Sequence, residues 1–169
     1  SGMVRNLFAG TAYHLPPQEP DAALFDISPD SKELVFTFDT NPDPREFSFT
    51  DLVAMDVKTG KTTLLTVRDK ALARFAFEGP RYSPDGKYIG FLGCDYTHQH
   101  NEQHRAWLLE RKTKKPTPWS TTWDRGVNGP LQWAASSDAV YFTAEYGVAQ
   151  PIWRLAVDAK MPTEVIRGP

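Results

Sequence analysis

The sequence predicts an all-β fold built from a repeated unit of four antiparallel strands. The first observation is a turn of the type Ser-Pro-Asp-Gly-Lys that leads into an apolar run ending in phenylalanine; its three copies lie at 28–36, 83–91 and 135–142. The second is the distance between the copies, since consecutive final phenylalanines are 55 and 51 residues apart. Recurrence on this scale is typical of repeat architectures. The third copy lacks Pro and Gly in its turn but keeps Asp138 and Phe142.

The first unit shows why four strands are expected. Its predicted strands are 23–28, 34–39, 51–57 and 62–66, where apolar and polar residues alternate with the period of a half-buried strand. Pro29 presets φ for the first turn, and Gly60 allows a hairpin between the last two strands. Prolines in the intervening polar segment exclude a central strand there. That segment is therefore predicted to be a loop.

The second and third units follow the same plan. Their predicted strands are 79–83, 88–93, 105–110 and 117–120, then 129–134, 139–144, 152–157 and 163–167. Four antiparallel strands in a unit of roughly 40 to 50 residues are the plan of a β-propeller blade.

Three blades are too few for a closed ring, because closed propellers use about four to eight. We therefore predict a partial β-propeller, a single segment over 1–169 with three four-stranded blades at 23–66, 79–120 and 129–168. Residues 4–8 match the fourth-strand position and are predicted to be an orphan outer strand of a preceding blade. The chain is then expected to be part of a larger protein.

Composition excludes several classes of partner. A net charge of −2 and a pI near 6.1 give no basic surface for nucleic acid. No apolar run approaches the roughly 20 residues that span a bilayer, and no signal peptide begins the chain, so we expect a soluble protein that does not contact membranes. Cofactors are not expected.

One loop has a potential metal-binding composition. Cys94, His98, His100 and His104 carry thiolate and imidazole, which are good zinc ligands. Their spacing matches no standard zinc module, and the loop lacks a second ligand pair. We therefore favour an ordinary polar loop and predict no metal.

The repeated residues resemble those of a known propeller family. Ser-Pro-Asp-Gly-Lys, Asp-Leu-Val-Ala-Met-Asp-Val at 51–57, Thr-Gly-Lys at 59–61 and the phenylalanine of the second strand are similar to the repeats of TolB and of the prolyl oligopeptidase family of serine peptidases. Asn-Pro-Asp-Pro at 41–44 and Trp-Asp-Arg-Gly-Val at 123–127 resemble the propellers of bacterial dipeptidyl and acylaminoacyl peptidases. The resemblance extends from about residue 4 to residue 168.

The resemblance implies a role without chemistry. Family members carry the nucleophile on a Gly-x-Ser-x-Gly elbow in a separate α/β-hydrolase domain, and this sequence has no such spacing. The segment alone is expected to be inactive, with no catalytic residue, and to gate and position peptide substrates for that domain. The Glu-Glu pair that holds the substrate amino terminus in some dipeptidyl peptidases is absent from this sequence.

The long loops should share one end of the propeller. In an up-and-down blade, the loop from the second to the third strand opens at the end opposite the short Pro-Asp turns. Loops held by a rigid scaffold are where binding residues concentrate. Candidate contacts for substrate or a neighbouring domain are Arg45, Glu46, Asp95, Tyr96, His104 and Tyr146.

Aromatic and basic clusters have simpler interpretations. Trp107, Trp133 and Trp153 fall within predicted strands and are expected in the core, whereas Trp119 and Trp123 flank a blade boundary and are harder to assign. The basic run 111–115 occupies a hairpin turn, where solvation is the favoured interpretation.

A second function remains open, namely a TolB-like periplasmic propeller that only binds a protein partner. A periplasmic or secreted location fits the bacterial relatives in either case. Because end blades expose faces that normally pack on neighbours, the isolated chain is also expected to self-associate.

Overall fold

Three consecutive blades make up the described part of the chain. The structure is a computed structural model that describes residues 2–13, 22–39, 49–66, 72–97 and 103–167. Within these residues the chain forms three four-stranded antiparallel sheets, each built from strands that follow one another in sequence. The predicted all-β fold with three four-stranded antiparallel blades is confirmed.

The strands of each blade run in simple up-and-down order. Blade 1 follows a 3-10 turn at Ala22–Leu24 and contains β1 (Phe25–Ile27), β2 (Glu33–Asp39), β3 (Thr50–Asp56) and β4 (Thr62–Leu64). Blade 2 contains β5 (Phe75–Tyr82), β6 (Tyr88–Asp95), β7 (Arg105–Glu110) and β8 (Lys115–Pro118). Blade 3 contains β9 (Asn128–Trp133), β10 (Ala139–Thr143), β11 (Ile152–Ala156) and β12 (Thr163–Ile166). The described residues include no helix long and apolar enough to cross a membrane.

The first strand of blade 2 begins earlier than the sequence predicts. Gly79 and Pro80 indicate the start of a strand, yet β5 already begins at Phe75. The register between β5 and β6 shifts between Glu78 and Arg81. The glycine and the proline lie within this irregularity, and β5 pairs with β6 on both sides of them.

The three short turns share one backbone conformation. Ser31, Gly86 and Ser137 all have positive φ, at 57°, 69° and 61°. Each donates its N–H to the carbonyl three residues earlier, at 2.8 Å in the first two turns and 2.9 Å in the third. Ser136 is therefore equivalent to Asp85, and Asp138 is equivalent to Lys87. The sequence pattern, which suggests that Asp138 is the counterpart of the aspartates in the other two turns, is corrected by the structure. Asp138 there accepts a bond from Arg154 at 2.7 Å.

In the second turn a buried hydroxyl holds the carboxylate of Asp85. The Ser83 hydroxyl donates to Asp85 Oδ1 at 2.7 Å, and the Lys87 N–H donates to the same oxygen at 3.0 Å. These bonds, that of Ser83 first, lower the pKa of Asp85 from 3.8 to about 2. Because the pKa of Asp85 is lower in the folded than in the unfolded chain, its carboxylate stabilises the fold above pH 3.8. This contribution is lost as the pH falls towards 2.

Replacing Ser83 with alanine should therefore raise the pKa of Asp85 towards 3.8, because the bond that most favours its charged form is gone. A carboxyl-carbon NMR titration of the folded chain measures this directly. Ser28→Ala, which removes the matching bond to Asp30 at 2.8 Å in the first turn, is the control and should leave Asp85 unchanged. An unchanged pKa of Asp85 in Ser83→Ala would contradict the assigned cause.

Apolar side chains fill both junctions between blades. Between blades 1 and 2 the buried cluster includes Val35, Leu52, Phe77, Phe91 and Trp107. Between blades 2 and 3 it includes Leu92, Trp119, Trp123, Phe142 and Trp153. Trp107 and Trp153 are buried as predicted, Trp133 packs partly buried against the second cluster, and the unassigned Trp119 and Trp123 also belong to the core.

The amino-terminal segment does not form the predicted outer strand. Residues 4–8 contain no strand; the side chain of Asn6 accepts the N–H of Phe8 at 3.0 Å, and residues 7–10 form a turn. An aspartyl or asparaginyl side chain that bonds the backbone two residues later favours a turn over a strand. The apolar residues that suggested a strand instead pack on blade 1.

This segment covers part of the face of blade 1 that points away from blade 2. Phe8 and Tyr13 meet the ring of Phe36 edge to face, with centroids 5.0 and 5.8 Å apart. Phe36 is fully buried as a result. Arg5 ties the segment to the carbonyls of Val57 and Lys58.

The outward face of blade 3 also exposes apolar side chains. Ile152 and Ile166 pair across β11 and β12 and are 36% and 56% exposed. The self-association expected from the sequence stays a prediction.

Candidate functional site

The described ends of the long loops lie at the end of the propeller opposite the short turns. Phe49, which directly precedes β3, has its ring 6.4 Å from that of Tyr96, which follows β6. Gln103 and His104 precede β7 and line one cavity together with Glu145 and Gly147 from the β10–β11 loop. Up-and-down connectivity thus gathers loops from consecutive blades, as the strand order requires.

Arg105 fixes the connector that links blade 2 to blade 3. Its guanidinium donates to the carbonyl oxygens of Trp123 and Arg125, the latter at 2.9 Å. The N–H of Val127 donates to the carbonyl of His104 at 2.9 Å, which joins the connector to β7. Trp123 anchors the connector in the core, because its ring packs against Phe142 and Trp153 with centroids 5.6 and 5.1 Å apart.

Between this connector and the two loops lies a cavity of about 450 Å³. Its walls come from the end of the β6–β7 loop, the blade connector and the β10–β11 loop. The lining residues are Gln103, His104, Asp124, Arg125, Gly126, Val127, Asn128, Glu145 and Gly147. Most are polar, and they include both signs of charge and two side-chain amides.

The charged groups of the cavity are held by local contacts. His104 Nε2 lies 2.9 Å from Glu78 Oε1, and both side chains are partly exposed. Arg125 donates to the carbonyl of Glu145 at 3.2 Å, and its guanidinium lies 4.4 Å from the centroid of the Tyr146 ring. Arg167 lies over the same ring at 4.5 Å. Cations over an aromatic face are attracted by its electron density, so Tyr146 helps to hold Arg125 at the rim.

The structure brings together some of the predicted site residues. His104 lines the cavity, and Tyr146 lies beside it through Arg125. Arg45 and Glu46 fall outside the described residues.

Asp95 and Tyr96 are held in a different local arrangement. Asp95 Oδ1 accepts the N–H and the hydroxyl of Thr97 at 2.9 and 2.5 Å, which closes a turn. The backbone of Tyr96 exchanges bonds with Arg74, from N–H to carbonyl at 2.9 Å and from guanidinium Nε to carbonyl at 3.0 Å. Burial, and then the contact with Cys94, raise the pKa of the Tyr96 hydroxyl above its usual range. Neither residue is among the described ones that line the cavity.

The potential metal ligands do not form a cluster in the described part of the chain. Cys94 is buried beside Tyr96, and His104 pairs with Glu78. His98 and His100 lie outside the described residues. Among the described residues, no three histidine, cysteine, aspartate or glutamate side chains come close enough to hold a metal ion.

The cavity is suited to binding. None of its nine described lining residues carries a hydroxyl or thiol side chain. Carboxylates, a guanidinium, an imidazole and amides can instead hydrogen-bond a polar ligand that carries both charges.

Several cavity residues were missed by reasoning from the sequence. Asp124 and Arg125 lie in the connector and Asn128 begins β9, whereas the candidates predicted from the sequence all lie in loops within blades. A signal existed, because Trp-Asp-Arg-Gly-Val at 123–127 already resembled peptidase propellers.

Comparison with known proteins gives the same fold and a peptidase relationship. No protein-family model matches the chain. The chain is 26% identical over 168 residues to dipeptidyl-peptidase 5 of Porphyromonas gingivalis, covering 97% of the chain and 24% of that protein. It is 24% identical over 153 residues to a probable dipeptidyl-peptidase 5 of Emericella nidulans, covering 87% of the chain and 21% of that protein. The resemblance to the propellers of this peptidase family is confirmed.

Solved structures agree in fold. TolB from Acinetobacter baumannii superimposes with a TM-score of 0.56 at 18% identity, over 83% of the chain and 31% of TolB. A puromycin-hydrolyzing peptidase of Mycobacterium tuberculosis gives 0.60 at 12% identity, over 86% of the chain and 23% of the peptidase. The β-propeller domain of the Trilobed protease from Pyrococcus furiosus gives 0.57 at 14% identity, over 82% of the chain and 40% of that domain. The chain spans about a quarter of the length of the curated relatives it matches.

Proposed function

We propose that this chain is the non-catalytic propeller segment of a serine exopeptidase of the dipeptidyl or acylaminoacyl type. In this role it gates and positions peptide substrates for a separate α/β-hydrolase domain. The observation that carries the proposal is the match to dipeptidyl-peptidase 5 along 97% of the chain. The whole protein would act in the periplasm or outside the cell.

The chemistry of the cavity supports peptides as the ligand. A short peptide presents an ammonium group, carboxylates and a row of amides. The cavity offers Asp124 and Glu145 for positive groups, Arg125 for negative groups, and the amides of Gln103 and Asn128 for the peptide backbone. Loop residues fixed by Arg105 and Trp123 can present these groups at defined positions, which lowers the entropic cost of binding.

The proposal is tested on the full-length protein that contains this chain. Chromogenic dipeptidyl and aminoacyl substrates should be cleaved by the full-length protein, and a serine-directed inhibitor should abolish the cleavage. The 169-residue chain alone should be inactive. No cleavage by the full-length protein, together with recovery of a protein partner by pull-down, would replace the proposal with a TolB-like binding scaffold.

A variant separates substrate binding from chemistry. Arg125→Ala should raise KM about tenfold with kcat nearly unchanged, because it removes a charged hydrogen-bond donor that contacts substrate before and during reaction. The control is Lys32→Ala, an exposed cation at the short-turn end, which should leave both constants unchanged. If Arg125→Ala and Lys32→Ala had the same KM and kcat, the cavity would have no part in substrate binding.

A further inference from the structure

The basic turn between β7 and β8 differs from its counterparts in the other blades. Val57, Arg111 and Val157 occupy equivalent positions, since each N–H donates to the carbonyl of the residue that closes the short turn, at 2.8, 2.9 and 2.8 Å. Two blades therefore carry valine where blade 2 carries arginine. The turn continues with Lys112 and Lys114, so the difference concentrates positive charge at one place.

Arg111 reaches across the junction to blade 1. Its guanidinium donates to Glu33 Oε1 at 2.8 Å and to the carbonyl of Gly86 at 2.9 Å, and it lies 5.2 Å from the centroid of the Tyr82 ring. The Tyr82 hydroxyl donates to the same Glu33 oxygen at 2.7 Å. Arg111 is thus fixed in place as part of a wall between the blades, and the interpretation of this turn as simply solvated is incomplete.

Beside this wall lies a second cavity, of about 260 Å³, between blades 1 and 2. Buried apolar side chains, Ala54, Leu65, Ile89 and Leu109, form its floor. Charged and polar side chains complete its lining, namely Glu33, Thr63, Arg111, Lys112 and Lys114.

The charges of this lining do not cancel. Three cations face one carboxylate, which leaves an excess of two positive charges (3 − 1 = 2), and the carboxylate of Glu33 is already bonded by Arg111 and Tyr82. Lys112 and Lys114 are exposed and remain available to a ligand. An apolar floor below a positively charged rim is complementary to an apolar side chain that is flanked by carboxylates.

We propose that this cavity binds a short extended segment of a partner protein in which apolar and acidic residues alternate. One apolar side chain enters between the blades, and neighbouring carboxylates pair with Lys112 and Lys114. Nucleic acid fits less well, because the chain as a whole carries a net charge of −2 and this basic surface is small.

This interaction surface is separate from the proposed substrate cavity. The β7–β8 turn lies at the end of the blade opposite the β6–β7 loop, since each strand reverses direction. A partner bound here leaves the loop end open. The proposal therefore stands independently of the peptidase role.

The test measures binding of a labelled peptide by fluorescence anisotropy. The probe is an end-capped heptapeptide of alternating aspartate and leucine, titrated with the 169-residue chain at low salt. The double variant Lys112→Glu/Lys114→Glu should bind it at least about tenfold more weakly, because two ion pairs are replaced by repulsion. Lys58→Glu/Lys61→Glu, in the equivalent turn of blade 1, changes the net charge by the same amount and should bind normally.

Two reference peptides test the two parts of the proposal. Replacing leucine by glycine should weaken binding if the apolar floor is used, and replacing aspartate by asparagine should weaken it if the rim is used. Far-UV circular dichroism verifies that both double variants are folded. Equal loss in the two double variants, undiminished binding of the glycine peptide, or no binding of the probe would each overturn the proposal.

Discussion

Replacing Phe91 with alanine should lower the free energy of unfolding by about 3–5 kcal/mol, the usual cost of truncating a fully buried phenylalanine. Phe91 is fully buried at the junction of blades 1 and 2. Its ring meets Phe77 edge to face with centroids 5.7 Å apart and stacks on Trp107 at 6.2 Å. The cavity left by alanine would lie among rigid aromatic rings that cannot collapse into it.

Urea unfolding followed by tryptophan fluorescence measures the change. Phe25→Ala is the control, since Phe25 is 38% exposed on β1 and its truncation should cost about 1 kcal/mol or less. A loss below about 1.5 kcal/mol for Phe91→Ala would mean that the blades do not depend on this aromatic junction.

The same phenylalanine shows why the fold could be predicted from the sequence. In the structure the three short turns begin at Ser28, Ser83 and Ala134. Phe36, Phe91 and Phe142 each follow eight residues later, and all three are buried. Strand alternation and turn chemistry are local, so each copy of the repeat reports the same structure independently. Three weak local signals that agree are then enough to establish the blade plan.

The amino-terminal segment shows where local patterns fail. Leu7 and Phe8 have the composition of a strand, yet a strand needs a neighbour with which to pair. Asn6 closes a turn instead, and the two apolar side chains pack on blade 1. Such a choice depends on contacts with Phe36 and its neighbours, which are distant in sequence and leave no periodic signal.

The candidate site was only partly predictable for a related reason. Blade geometry indicated the correct end of the molecule, but the cavity is formed by a connector that the repeat does not describe.

Leu52 and Ala106 are equivalent, since each N–H donates to a hydroxyl oxygen, of Thr66 at 2.9 Å and of Ser120 at 3.1 Å. The residues before them, Asp51 and Arg105, are therefore equivalent positions with opposite charge. Asp51 accepts a bond from the hydroxyl of Thr66 at 2.7 Å, whereas Arg105 binds two carbonyls of the connector. The sequence alone does not align Asp51 with Arg105. The change from a carboxylate in blade 1 to a guanidinium in blade 2 is therefore apparent only in the structure.

Replacing Arg105 with methionine should lower the free energy of unfolding by about 2–3 kcal/mol, because two carbonyls lose a charged donor. Methionine keeps much of the length and apolar volume of the side chain, so the effect reports the hydrogen bonds to Trp123 and Arg125. The connector should also open more readily. We expect the amide of Val127, which bonds to the carbonyl of His104, to exchange hydrogen at least about tenfold faster.

Urea unfolding and native-state hydrogen exchange measure the two effects. Arg105→Lys is the control, since it keeps the positive charge but offers a single ammonium in place of the planar guanidinium, and it should recover part of the stability. Exchange at β2 and β3 of blade 1 provides an internal reference, because these strands are remote from the connector and should keep their protection in both variants. If Arg105→Met left both the unfolding midpoint and the exchange of Val127 unchanged, the connector would be held by Trp123 and its aromatic neighbours alone. The cavity that carries the proposed substrate contacts would then owe its shape to core packing, and Arg105 would have no part in it.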